Sequence, residues 1–255
     1  MRRTFVRSAV LTASAVVLAA GLSGCSTQTH DGAAERAAFG VTGDTLTVES
    51  GGADVTLVPD AGLDGEIAVT RWFTAGKVFG STDIGWEMAG DTLTLRVVCS
   101  GFVTSCDAPH EIVVPDDLAV TVRGTNGHIE AAGFTAPLDL SSHNGNITVR
   151  DSGTGELRLS SHNGKITATG LDTPRIGADT HNGGVTLGLA SAPERVEVTS
   201  RNGGVRLTVP AEGVYRVDTD TDNGSVDVDV PQDTAAGALI SVSTRNGGIS
   251  VHGSD

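Results

Sequence analysis

Two Ser-His neighbours, Ser142-His143 and Ser161-His162, supply the residue types of a nucleophile and its general base. His181 occupies the same place as the two histidines, one residue before an Asn, and Arg201, Asp222 and Arg245 continue that place further along. Three imidazoles in one column would suit a metal ion or a pH-sensitive stripe. Asp218, Asp220 and Asp222 alternate with threonine, and Asp227 and Asp229 follow beyond Asn223-Gly224. That acid spacing is the beginning of a calcium loop. The chain has three cysteines, Cys25, Cys99 and Cys106.

Each arrangement meets a physical objection. Neighbouring residues on a strand point to opposite faces, so a Ser beside a His cannot activate it. Side chains in a line do not converge as tetrahedral zinc requires. In the acidic run the glycine falls one place late and Asp229 stands where a calcium loop has Glu. The flanks alternate like strands, and Arg201 and Arg245 can neutralise Asp222 without an ion. A glycan-cleaving enzyme would need paired carboxylates in a cleft and aromatic platforms. From residue 125 onward the only aromatics are Phe134 and Tyr215. No catalytic residue, cofactor or metal ligand is therefore assigned. Cys99 and Cys106 close a short loop over residues 100–105 and read as a disulfide in an exported chain, because His110 alone does not complete a metal site.

The elements that place these residues come from one repeated phrase, a Ser or Thr, a variable residue, Asn-Gly, a further residue and then Ile or Val. Its Asn positions are Asn126, Asn144, Asn163, Asn182, Asn202, Asn223 and Asn246, spaced 18, 19, 19, 20, 21 and 23 residues apart. Three residues after each Asn stand Ile129, Ile147, Ile166, Val185, Val205, Val226 and Ile249, with apolar residues again two places on. Leucine, valine or isoleucine mostly fills the places four and six before it. This is period-two alternation on both sides of a turn, hence two half-buried strands per repeat.

A meander of Asn-Gly hairpins would also give two strands per repeat. It would not stack like on like, whereas a parallel coil sets Asn on Asn, Gly on Gly and hydroxyl on hydroxyl. Length variation gathers at the second turn, as a solenoid tolerates. The sequence thus predicts an all-β parallel β-helix, a β-solenoid of about 18–23 residues per coil. The Asn residues form its structural turn ladder, and the Ser/Thr column faces inward.

Residues 1–24 stand apart from the fold. Arg2, Arg3 and Arg7 precede an apolar stretch over residues 9–20 that is too short to span a bilayer. The stretch ends in Leu22-Ser23-Gly24-Cys25, which resembles a bacterial lipobox. That resemblance implies cleavage before Cys25 and acylation (palmitate) of it, and an ordinary secretory signal is the alternative. The arginine pair fits both Sec and twin-arginine export. Without the three arginines of the leader the chain holds 14 Lys and Arg against 31 Asp and Glu, a formal charge of −17. A surface so acidic argues against nucleic acid as a partner. It should also be repelled by anionic headgroups, leaving the N-terminal lipid anchor as the membrane contact.

The expected organisation is a signal peptide over 1–24, a tether over 25–38, an N-terminal β cap or irregular first coils over 39–122, and the Asn-Gly solenoid over 123–255. In the third segment strands are expected at 45–49, 54–58, 66–73, 92–98 and 111–114, and Ser50-Gly51-Gly52-Ala53-Asp54-Val55 reads as a worn copy of the phrase. The segment also holds Trp72, Phe73, Phe79, Trp86 and Phe102. The last strand, ending at Val251, is expected to leave an open end that a loop, a second copy or another protein covers.

The lipobox, the Cys pair before Val113-Val114-Pro115 and the Asn-Gly phrases together resemble a bacterial adhesin-associated β-strand-repeat domain family of unknown function, similar to the auto-transporter adhesin head domain. The resemblance runs from about Leu46 onward and implies a right-handed β-helix with no catalytic residues to transfer. The expected role is that of a non-catalytic, lipid-anchored protein on the outer face of the cytoplasmic membrane, with a protein or glycan ligand in adhesion or envelope structure. An envelope-stress sensor acting through a membrane protein and a glycan-active enzyme are the alternatives.

Overall fold

Burial alternates residue by residue along almost every strand, as in Leu157–Ser161 and Arg195–Asn202, so each strand turns one face to a core and one to water. The computed structural model of the chain describes residues 33–75, 80–101, 106–153 and 155–254. Its strands in chain order are β1 (Ala34–Gly40), β2 (Thr45–Ser50), β3 (Val55–Pro59), β4 (Glu66–Trp72), β5 (Thr74–Ala75), β6 (Gly80–Ala89), β7 (Thr92–Gly101), β8 (Cys106–Asp107) and β9 (His110–Val114). They continue as β10 (Ala119–Gly124), β11 (Ile129–Ala132), β12 (Leu138–Ser142), β13 (Ile147–Arg150), β14 (Leu157–Ser161), β15 (Ile166–Leu171), β16 (Arg175–Thr180) and β17 (Val185–Leu189). The last six are β18 (Arg195–Asn202), β19 (Val205–Pro210), β20 (Tyr215–Asn223), β21 (Val226–Asp229), β22 (Ala238–Asn246) and β23 (Ile249–Ser254).

Two long sheets result. The first runs β1-β4-β9-β3-β11-β13-β15-β17-β19-β23-β21 and the second β6-β7-β2-β10-β12-β14-β16-β18-β22-β20. Nine strands of each sheet are parallel, and β1, β4 and β6 add antiparallel strands at one end. Successive repeats stack in register, Ile147 on Ile166 on Val185 in one sheet and Ser142 on Ser161 on Thr180 in the other. The parallel coil is therefore observed, and the hairpin meander is not. At about 4.8 Å per strand, nine coils span about 40 Å.

Between the sheets lies one continuous apolar core. Ile129, Ile147, Ile166, Val185, Val205 and Ile249 are all within 2% of complete burial, and Phe134 and Tyr215 are wholly buried. The two aromatics of the repeat region are thus core fillers and offer no platform to a sugar ring.

Two expectations change, and of the two readings of 39–122 the irregular first coils are the one seen for β2 and β3. Ala34–Gly40 is a strand, so the end of the stretch read as tether belongs to the first sheet, where it pairs with β4. Residues 39–122 supply coils of the same two sheets: β2 and β3 lie in register with β10 and β11, which places Ser50 beside Gly124 and Val55 beside Ile129. Ser50-to-Val55 is accordingly a repeat phrase without its Asn-Gly.

The second change concerns order. Near one end β7 and β9 pair with β2 and β3, so the first coil is enclosed between later ones. At the other end β22 and β23 slip between the Asn202 coil and the Asn223 coil. The strand ending at Ser254 is an interior strand, and the open end belongs to β20 and β21.

Candidate functional site

The Asn-Gly corner is where the outward columns are built, and its geometry begins with close backbone approach. A Cβ on Gly145 would sit 1.8 Å from the Gly127 carbonyl oxygen, on Gly164 1.9 Å from that of Gly145, and on Gly183 2.0 Å from that of Gly164. Gly203, Gly247 and Gly224 carry the same contact upward. None of these glycines has a positive φ; among the described residues of the repeat region those values occur at the second corner, in Gly133, Asp151 and Gly170. Glycine is required at the first corner for space.

The inward hydroxyls close the corner. Ser142 Oγ accepts from Gly145 N at 2.9 Å, and Ser161 Oγ accepts from Gly164 N at 2.9 Å while donating to the Gly145 carbonyl at 3.1 Å. Thr180, Ser200, Thr244 and Thr221 donate to the same type of carbonyl at 3.0–3.2 Å. Ser142 and Ser161 are buried and committed, which ends any role for them as nucleophiles.

Outside the corner the asparagine amides form one unbroken ladder. Asn144 Nδ2 donates to Asn126 Oδ1 at 2.7 Å, Asn163 to Asn144 at 2.7 Å, and Asn182 to Asn163 at 2.8 Å. Asn202 donates to Asn182 at 2.8 Å, Asn246 to Asn202 at 2.8 Å, and Asn223 to Asn246 at 3.0 Å. The ladder follows spatial order, with Asn246 before Asn223. At its foot Asn126 Nδ2 donates to the Gly51 carbonyl at 3.4 Å. Every amide points the same way, so each bond polarises the next.

Beside the ladder His143 and His162 stack with ring centroids 4.7 Å apart and planes 4° from parallel. His162 and His181 follow at 4.6 Å and 24°. Desolvation holds His181 below the usual imidazole range, helped by Arg201 and His162. Side-by-side rings direct their nitrogens in parallel rather than toward one point. Arg201 and then Arg245 continue the column, and Arg245 Nε lies 3.6 Å from Asp222 Oδ2, so one of the two expected arginines neutralises this carboxylate.

In the outermost coil Asp218 lies 3.6 Å from Arg216, and His252 Nε2 lies 3.5 Å from Asp227. Asp220 and Asp229 form no ion pair among the described residues. Nor do three or more His, Cys, Asp or Glu gather as a metal site among those residues. Cys99 and Cys106 are joined by a disulfide, Cα to Cα 6.4 Å. Cys25, its leader, residues 26–32, Phe79 and Phe102 lie outside the described residues.

One cluster escaped the sequence reading. His110 takes the inner place that Val55 and Ile129 fill in the coils beside it. It is buried, and so is Arg71, whose guanidinium lies 4.3 Å from the centre of the Trp86 ring and pairs with Glu35 of β1. Trp86 meets His110 edge to face at 6.2 Å. The signal was present, because His110 falls in phase with Ile112 and Val114.

The Toastrack DUF4097 description matches residues 43–252. The curated proteins contain no match. Among solved structures, a "putative adhesin" from Bacteroides fragilis is 14% identical, with 86% of this chain and 97% of that one covered and a TM-score of 0.52. A "putative lipid binding protein" from Parabacteroides distasonis is 14% identical over 89% of this chain and 98% of that one, TM-score 0.45. A "putative cell adhesion protein" from Clostridium sporogenes is 10% identical over 87% and 100%, TM-score 0.39. At 14% identity the likeness to the Bacteroides fragilis protein concerns the fold alone.

Proposed function

The chain belongs to the Toastrack DUF4097 family, and from that premise we propose that it is an exported, lipid-anchored lipoprotein without a catalytic centre. Its β-solenoid is displayed on the outer face of the bacterial cytoplasmic membrane for adhesin-like contact with a protein or glycan. In this reading the coil is right-handed, with β1, β4 and β6 as its N-terminal cap, and Cys25 carries the acyl chains.

The observation that carries the reading is the register. Outward side chains form straight columns at strand spacing, such as Thr148 on Thr167 on Thr186 and Asp139 on Arg158. A flat, polar, repeating face of this kind suits contact with an extended surface rather than enclosure of a small substrate. The adhesin names of the solved relatives are in keeping with it.

The test has two arms. Cells expressing the wild type and a Cys25→Ser variant are labelled with palmitate, and label on the wild type alone, with the variant released from the membrane, is expected. The purified protein is then offered to whole cells, cell-wall glycans and membrane extracts, with and without calcium. Saturable binding lost on changing outward columns is expected. Unlabelled wild-type protein would sink the anchor, and no binding to any of them would sink adhesion.

A further inference from the structure

We propose that the open edge formed by β20 and β21 is a strand-addition site for an extended basic segment of a partner protein, in which Lys or Arg alternates with β-branched residues. This names the partner class for the display reading above and rests on it. Its test is run in solution, so its outcome does not depend on whether Cys25 anchors the chain.

Three observations converge on that edge. The first is unmet backbone pairing. In the coils below, the amide of the residue three after the Asn donates to the coil above: Ile147 to Lys165, Ile166 to Gly184, Val185 to Gly204, Val205 to Gly248 and Ile249 to Ser225, at 2.8–3.1 Å. Val226 holds that place in the outermost coil, and among the described residues no coil lies above it. Likewise the carbonyls of His143, His162 and His181 accept from the next coil at 2.8–2.9 Å, and Asp222 holds that place at the edge.

The second observation is an incompletely buried inner face. Val226 is 46% exposed, whereas its column mates Ile249, Val205 and Val185 are at most 2% exposed. Val217, Thr219, Thr221 and Val228 are half-buried. One more coil would bury them all.

The third is charge with the right period. Asp218, Asp220 and Asp222 are exposed at alternate positions of β20, with Asp227 and Asp229 on β21. A segment laid along this edge would set its outward side chains beside these carboxylates, where opposite charges stabilise the pairing and like charges oppose it. The same row opposes a second copy, whose own edge would bring five more aspartates. Among the described residues the chain itself closes only the start of the edge: Tyr215 N donates to the Pro231 carbonyl, and the Tyr215 carbonyl accepts from Asp233 N, both at 3.0 Å. Beyond Tyr215 the edge is free for β-augmentation, in which main-chain bonds give affinity and alternate side chains give specificity.

The experiment measures fluorescence anisotropy of a synthetic peptide alternating Lys and Val, titrated with the purified protein at physiological ionic strength. A second peptide has the same charge but proline at alternate Val positions, which removes its amide donors. Saturable binding of the first peptide is expected, at least about tenfold tighter than the second, because loss of the ladder bonds removes the main source of affinity. The triple change Asp218→Asn, Asp220→Asn and Asp222→Asn should weaken binding several-fold with an unchanged melting temperature. Val226→Lys, on an already exposed side chain, should nearly abolish it and keeps the test valid if the triple variant fails to fold. Equal binding of both peptides would reduce the effect to bulk charge and overturn the proposal. So would no binding, or concentration-dependent self-association that Val226→Lys removes.

Discussion

A single methyl group measures how closely the coils approach. Gly164→Ala would place a Cβ 1.9 Å from the Gly145 carbonyl oxygen, and that oxygen belongs to backbone that cannot swing aside. The stack must open locally, and a loss of at least about 2 kcal/mol is expected in urea unfolding, the range for overpacking a filled site. Gly177→Ala is the control: nothing lies within 4 Å of its Cβ, and a change within about 0.5 kcal/mol is expected. Near the end of the stack that β1, β4 and β6 close, His110 gives a pH signature. Burial holds its pKa down to about 4; the Ala108 backbone opposes that shift and Arg71 adds to it. Both ring nitrogens are buried, and neither has a partner at hydrogen-bonding geometry among the described residues. A histidine whose folded pKa is depressed stabilises the fold fully above its unfolded value near 6.5, and that contribution is lost as pH falls toward 4. About 3 kcal/mol should disappear over that window. His110→Leu should flatten this part of the stability–pH curve, and an unchanged slope would place the titration elsewhere.

At the scale of the element, the amide ladder behaves as a chain with an interior and an end. Asn163 both donates to Asn144 and accepts from Asn182, whereas among the described residues Asn223 takes part only as donor, to Asn246. These bonds lie at the surface, where water competes, so each is worth about 0.5–1.5 kcal/mol. Asn163→Ala should therefore cost about twice as much as Asn223→Ala in the same unfolding experiment. Equal costs would mean that the ladder's bonds do not act one by one. This element was legible in the sequence because a parallel coil sets chemically identical positions on one another, and the seven Asn-Gly phrases announce it. Also legible was the inward hydroxyl column, since Ser and Thr keep the phase of the apolar residues. The inward place of His110 follows from its phase with Ile112 and Val114; what could not be read was its meeting with Arg71 and Trp86. These three come from β9, β4 and β6, which carry no common phrase, and their meeting depends on antiparallel pairing that the repeat does not encode.

Coil order across the whole molecule was hidden for a related reason. Asn223 and Asn246 head phrases of the same kind, so either coil fits on the Asn202 coil, and the pattern alone does not choose. Two features tip the choice. The Asn223 coil carries Asp218, Asp220 and Asp222 at three alternate places where the Asn246 coil beneath it carries Ser241, Ser243 and Arg245, and charge of one sign is a mark of an exposed edge. The connection over residues 230–237 is long enough to pass over one coil and return beneath it. The consequence is testable by hydrogen exchange. Coils stacked in chain order would place β22 and β23 outermost, fraying first, with β20 and β21 protected behind them. Here β23 has a neighbour on each side, β19 and β21, while β21 has only β23. Opening free energy in a linear array falls toward its free end, so amides of β20 and β21 should exchange well before those of β22 and β23. The expected order is Val228 before Val251, although Val251 lies nearer the end of the chain. Faster exchange at Val251 would restore sequential stacking and remove the open acidic edge on which strand addition depends.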